Sequence, residues 1–171
     1  MQIHSFSDLE GLRIAVEMER RGGDFYRRAA KVSKDPKTAQ LLSQLAQEET
    51  GHELDFQALY AREKERRGQG DEGVYDPETS AYLSAVAAEV VFPGGLMALA
   101  GENALQSPEA ILKEAIQSEK DSILFYSELA ALCRDEHTQS VFMDIVSQER
   151  RHLATLQRML MALAEIGRAH V

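Results

Sequence analysis

The sequence predicts an all-α protein, a bundle of four long helices in two antiparallel hairpins joined by a long, partly helical crossover. Three observations carry this expectation. Ala, Leu, Glu, Gln and Arg dominate, which favours helix, while Gly and Pro are sparse and Trp is absent. Apolar residues recur at steps of three and four over four long segments. The second pair of segments repeats the first at a constant offset.

The first helix opens at Ser7-Asp8-Leu9-Glu10, which has the form of a capping box. Leu12, Ala15, Val16, Gly22, Tyr26 and Ala30 follow at helical spacing, and the helix should stop near Ser33-Lys34. Asp35-Pro36 supplies an N-cap and a proline at the first helical position of the second helix. That helix runs through Leu42, Leu45, Phe56 and Leu59 and fades at Arg67-Gly68-Gln69-Gly70. The third long helix starts at Ser107-Pro108 and carries Leu112, Ala115, Ser122, Tyr126, Leu129 and Cys133 on one face. A break near Arg134-Asp135 leads to the fourth, with Phe142, Ile145, Leu156, Met159 and Leu163. Gly167 is placed to end it.

About 38 residues, Gly68 to Leu105, separate the halves. Asp76-Pro77-Glu78 opens a shorter helix through Val91, which Pro93-Gly94-Gly95 breaks. Two hairpins whose second and third helices run parallel need such a crossover, because each long helix spans roughly 40 Å. A flexible interdomain linker is the competing reading, and the apolar content of Tyr82 to Ala100 speaks for packing instead. The expected organisation is one domain over residues 1–171, with a first hairpin at about 7–67, a crossover at about 68–106 and a second hairpin at about 107–167.

Composition narrows the function. The chain has 171 residues, 44% hydrophobic and 27% charged, the profile of a soluble globular protein. A formal net charge of −9 argues against nucleic acid, which needs clustered cations on phosphate. Cys133 is the sole cysteine, so a disulfide framework or a cysteine-based zinc or iron–sulfur site within one chain is excluded. It reads as a small core residue. The N-terminus lacks the charged and apolar regions of a signal peptide, and no apolar run is long enough to span a bilayer, so the expected location is cytoplasmic, without membrane contact.

The chemistry lies where acidic residues interrupt the apolar stripes. The stripes read Leu12, Ala15 or Val16, Glu19, Gly22, Gly23, Tyr26 on the first helix and Leu42, Leu45, Glu49, His52, Phe56 on the second. They read Leu112, Ala115, Glu119, Ser122, Tyr126 on the third and Phe142, Ile145, Glu149, His152, Leu156 on the fourth. Four glutamates and two histidines therefore point at one core. Glu19, Phe25, Tyr26, Glu49 and His52 recur 100 positions later as Glu119, Phe125, Tyr126, Glu149 and His152. Of the five histidines, only His52 and His152 follow a glutamate by three residues; His4, His137 and His170 do not. Glu19 and Glu49 each lie fifteen residues from a turn near Lys34, so antiparallel helices bring them level, and the same holds for Glu119 and Glu149 about Arg134.

A helical glutamate is ordinarily a solvated surface residue, and Glu-x-x-His alone can be a simple i, i+3 contact. Those readings fail jointly here, because burying four carboxylates together without compensation is too costly. Two divalent cations would balance four negative charges. Carboxylates with one imidazole per metal and no thiolate suit iron or manganese, and zinc could occupy the same site without redox chemistry. Glu17, Glu48 and Glu53 fall off the stripes and read as surface residues. Tyr26 and Tyr126 either pack in the core or donate to a ligand carboxylate. Phe25 and Phe125, like Met18, Met143 and Met159, read as packing residues.

One Glu from each of two helices and Glu-x-x-His from the other two resembles the pattern of ferritin-like di-iron carboxylate proteins. The segments Glu19-Arg-Arg-Gly-Gly-Asp-Phe-Tyr26 and Glu119-Lys-Asp-Ser-Ile-Leu-Phe-Tyr126, with the two Glu-x-x-His pairs, look like the rubrerythrin branch. The resemblance covers both hairpins. It implies two iron ions, bridged by Glu49 and Glu149, with Glu19 and Glu119 as terminal ligands and His52 and His152 capping one metal each. It also implies reaction with hydrogen peroxide or dioxygen, through the four glutamates as metal ligands and the two tyrosines beside them.

The chain departs from the family in several places. Rubrerythrins with a rubredoxin domain carry four further cysteines for electron delivery, so an external donor is implied here, a rubredoxin-type protein or a reductase. The extra carboxylate that such proteins place one turn from the third-helix ligand is replaced by Ile116 and Ser122. Thr50 and Arg150 stand where bacterioferritin has a haem-binding Met, so no haem is expected. No fifth helix follows Gly167, and the Glu-to-Glu spacing within each hairpin is about one turn shorter than in ferritins. A homo-oligomer, a dimer, is expected. An iron-binding or ferroxidase role and a non-catalytic metal-stabilised bundle are the alternatives.

Overall fold

The computed structural model describes residues 6–68, 73–91 and 107–169, arranged as α1 (Asp8–Val32), α2 (Pro36–Arg67), α3 (Pro77–Val91), α4 (Pro108–Leu132) and α5 (Glu136–Ala169). Local chemistry sets the starts of these helices. The Ser7 and Ser107 side chains accept from the Glu10 and Ala110 amides, and Asp35 and Asp135 each accept from the amide and the hydroxyl of a threonine three residues on. Prolines occupy the first turns of α2 and α4, where no amide hydrogen is needed. Asp76 caps α3 through the Glu78 and Thr79 amides.

α1 packs along α2, and α4 along α5, as two antiparallel hairpins. Tyr26 meets Glu119 while Tyr126 meets Glu19, so α1 and α4 also run antiparallel. α2 and α4 are therefore parallel, the arrangement that demands a crossover along the length of the bundle. Buried positions repeat at the offset of 100: Leu12, Ala15, Phe25, Tyr26, Ala29, Leu42, Leu45 and Phe56 are matched by Leu112, Ala115, Phe125, Tyr126, Leu129, Phe142, Ile145 and Leu156.

The apolar core is split in two. One cluster joins the α1–α2 turn end to the start of α4 and the end of α5, through Phe25, Tyr26, Leu42, Leu45, Leu112 and Leu156. The other joins the α4–α5 turn end to the start of α1 and the end of α2, through Leu12, Phe56, Tyr126, Leu129, Phe142 and Ile145. Between them lies a polar layer.

α3 packs against α1 and α4 and closes the second cluster with the fully buried Leu83 and with Ala87. The segment before α1 is stitched to it: Phe6 N–H donates to Ser80 Oγ at 3.0 Å, and Tyr75 N–H donates to the Phe6 carbonyl at 2.9 Å. Arg67 and the Tyr75 hydroxyl both donate to the Asp8 carboxylate beneath them.

Some expectations change. Gly167 does not end α5, which continues through Ala169; its backbone does not take the left-handed conformation by which a glycine ends a helix. Cys133 is not a core residue but the half-buried C-cap of α4. Met143 is 46% exposed, because it lies on the outer face of α5. The break at Pro93-Gly94-Gly95, the tail of the fade at Gln69-Gly70, His4 and His170 lie outside the described residues. No helix among the described residues is long and apolar enough to cross a membrane.

Because α3 buries Leu83 against the bundle, Leu83→Ala should destabilise the fold by about 2–5 kcal/mol in urea denaturation. A loss near zero would show that α3 does not hold this cluster together.

Candidate metal centre

Glu19 on α1, Glu49 and His52 on α2, Glu119 on α4 and Glu149 and His152 on α5 converge in the polar layer, none more than 5% exposed. Their ligand atoms form two groups, Glu19, Glu49, His52 and Glu149, and Glu49, Glu119, Glu149 and His152, each with atoms within 4.8 Å of one another. Glu49 and Glu149 belong to both. The imidazole rings stack across the layer, centroids 5.8 Å apart.

Every one of these six side chains keeps a buried atom with no hydrogen-bond partner: Glu19 Oε2, Glu49 Oε1, His52 Nδ1, Glu119 Oε2, Glu149 Oε1 and His152 Nδ1. His52 Nδ1 stands 2.8 Å from Glu149 Oε1 and 3.3 Å from Glu19 Oε2, and His152 Nδ1 stands 3.3 Å from Glu49 Oε1, close but not aligned for hydrogen bonds. Buried polar atoms are rarely left so, and six in one layer, all of them oxygens or imidazole nitrogens, fit a cation-binding site.

The rest of each ligand is held. The Tyr26 hydroxyl donates to Glu119 Oε1 and the Tyr126 hydroxyl to Glu19 Oε1, each reaching across to the other hairpin and leaving Oε2 for the centre. Burial first, then the adjacent carboxylate, pushes both phenols well above their ordinary pKa, so they remain donors. Gly22 lets Glu49 lie against α1: a Cβ there would sit 3.1 Å from Glu49 Oε2.

The histidines point Nδ1 inward and Nε2 outward, and the outward partners were not foreseen. His152 Nε2 lies 2.6 Å from Glu48 Oε2, and His52 Nε2 lies 3.2 Å from Gln148 Oε1. Glu48 is thus not a plain surface residue; it crosses from α2 to the histidine of α5 and is steadied by Gln44. The one signal in the sequence was that positions 48 and 148 occupy the same place in the repeat. Glu17 and Glu53 do pair with arginines at the surface.

The electrostatics of the layer without a cation are those of carboxylates seeking protons. Burial, then the charges of Glu149 and Glu19, raises Glu49 well above the usual carboxylate range. Burial and Glu149 do the same to Glu119. Glu149 moves down: burial opposes this, but Glu119 and both imidazoles favour its ionised form. Burial disfavours the imidazolium of His52, yet Glu149 and Glu19 outweigh it and push the group up to about 10. His152 is raised likewise by Glu119, Glu149 and Glu49 against its burial.

Buried Glu63, fourteen residues further along α2, offers a contrast. Arg66 reaches it at 2.8 Å, Arg67 at 3.5 Å, and Thr138 Oγ1 lies 3.3 Å away. Burial raises its pKa, but these cations hold it below the ordinary value. The central glutamates lie beside histidines instead.

The rubrerythrin family model matches residues 109–166, most of α4 and α5. The chain also matches the structure of a Thermotoga maritima protein described as a candidate ferritin-like diiron-carboxylate protein, with a TM-score of 0.70 and 23% identity over 94% of this chain and 98% of that one. No curated protein matches the sequence. The fold is ferritin-like, and the second hairpin carries the rubrerythrin match.

His52 titrates higher folded than unfolded, so its stabilising contribution is complete below pH 6.5 and is lost as pH rises toward about 10. The raised Glu49 and Glu119 act with the same sign, and the lowered Glu149 matters only in acid. The melting temperature of metal-free protein should therefore fall from pH 6.5 to 10 in calorimetry, and a flat or rising profile would refute this charge assignment. Gly22→Ala, which crowds the Glu49 carboxylate, should weaken Mn²⁺ binding in calorimetric titration more than it changes the melting temperature; unchanged Mn²⁺ affinity would show that the close approach is dispensable.

Proposed function

We propose that the six side chains hold two iron ions, with Glu49 and Glu149 shared between them, Glu19 and His52 completing one position and Glu119 and His152 the other. We infer further that the centre reduces hydrogen peroxide or dioxygen. The observation that carries the proposal is the pair of buried ligand groups sharing two carboxylates, each contributing residue with an unpartnered atom facing the layer.

When bound, two ferrous ions supply the two electrons that, with two protons, convert hydrogen peroxide to two waters. The protein's own part is to place and shield. Tyr26 and Tyr126 fix one oxygen of Glu119 and Glu19, so the other is presented inward. Phe56 packs on Tyr126 and Phe142, with ring centroids 5.0 and 5.1 Å away, and this aromatic layer keeps water from one side of the centre. The absence of a thiolate favours iron or manganese, while zinc would leave the bundle inert. The reading includes no haem, a cytoplasmic setting, a dimer, and an electron donor on a separate protein.

Glu49→Ala should lose most of the bound metal by elemental analysis, because it removes a ligand common to both positions. Retention of two metals per chain would overturn the assignment. Iron that peroxide oxidises, followed by turnover on re-reduction, would support the redox role; iron inert to peroxide, or accumulated in a large hollow oligomer, would count against it.

A further inference from the structure

The two halves of the layer are matched in their ligands but not in what lies behind their histidines. Positions 41–50 and 141–150 have the same pattern of burial, so Glu48 and Gln148 occupy equivalent sites. Each faces the outward nitrogen of the opposite histidine. Glu48 is a carboxylate at 2.6 Å from His152 Nε2, and Gln148 is a neutral amide at 3.2 Å from His52 Nε2. With Nδ1 turned to the centre in both rings, Nε2 carries the proton, and the oxygen behind it accepts.

A carboxylate in that position makes the imidazole a stronger donor to a cation and fixes its ring; an amide does so less. The negative charge of Glu48 also attracts the ion through the ring, which a neutral glutamine cannot do. Gln44 donates to the other oxygen of Glu48 at 2.8 Å, so the carboxylate is itself held in place. Gln148 lines a groove of about 400 Å³ together with Asp55, His137 and Asp144.

Resting on the metal-centre reading above, we propose that Glu48 is a positioning residue that makes the two metal positions inequivalent, the one formed with His152 and Glu119 filling first and the one formed with His52 and Glu19 filling second.

The test uses Co²⁺ on metal-free protein, followed by calorimetric titration and by anomalous diffraction from crystals holding one equivalent. The wild type should bind in two steps, with the first ion beside His152. Glu48→Gln should weaken the first step by about 10- to 100-fold, the usual effect of removing a partner behind a metal-bound histidine. Gln148→Glu should strengthen the second step, a gain that misfolding cannot produce. The double exchange Glu48→Gln with Gln148→Glu should move the first ion to the His52 side. Equal occupancy of both positions in the wild type, or an order that the double exchange leaves unchanged, would overturn the proposal while leaving the metal centre intact. Failure to bind any Co²⁺ would overturn both.

Discussion

Four carboxylates buried in one layer are the constraint around which the bundle is organised. Carboxylates out of water are tolerated only when positive charge or protons come with them. Elsewhere in the same molecule that charge is covalent: Glu63 is satisfied by Arg66 and Arg67. In the central layer the available groups among the described residues are two imidazoles and two phenols, too few to neutralise four glutamates without protons or a cation. The raised Glu49, Glu119, His52 and His152 express that shortage.

The rest of the structure keeps the layer in register. Two apolar clusters sandwich it, one at each hairpin turn, so the helices cannot slide without exposing Phe56 and Phe142 on one side or Leu42 and Leu156 on the other. The tyrosines tie the hairpins together through the carboxylates themselves, each phenol reaching the glutamate of the opposite half. α3 and the strip around Phe6 close one cluster and have no counterpart at the other among the described residues. The internal repeat is therefore near-symmetric in the layer and asymmetric around it.

Much of this was legible from the residues. Helix starts followed from Ser7, Asp35, Asp76 and Ser107, because caps are local hydrogen bonds. The convergence of Glu19, Glu49, His52, Glu119, Glu149 and His152 followed from steps of three and four, because helical periodicity decides which side chains share a face. What escaped detection depended on distance in the chain. Glu48 lies off its own stripe and gains its role only from His152, 104 residues away. Glu63 stands among the charged residues at the end of α2, and its contact with Thr138 of α5, 75 residues away, is not a matter of helical periodicity. Met143 and Cys133 have apolar character without core positions, because residue type indicates what can be buried, not whether a neighbour arrives to bury it.

By itself, then, the sequence determined four long helices, their pairing into hairpins, and a set of inward-facing glutamates and histidines repeated at an offset of 100, all consequences of short-range rules applied twice. Only the tertiary structure decided which glutamates are common to both ligand groups, which tyrosine serves which carboxylate, and which histidine has a carboxylate behind it. Those depend on how two hairpins face each other, and packing across the bundle, not periodicity within a helix, settles that.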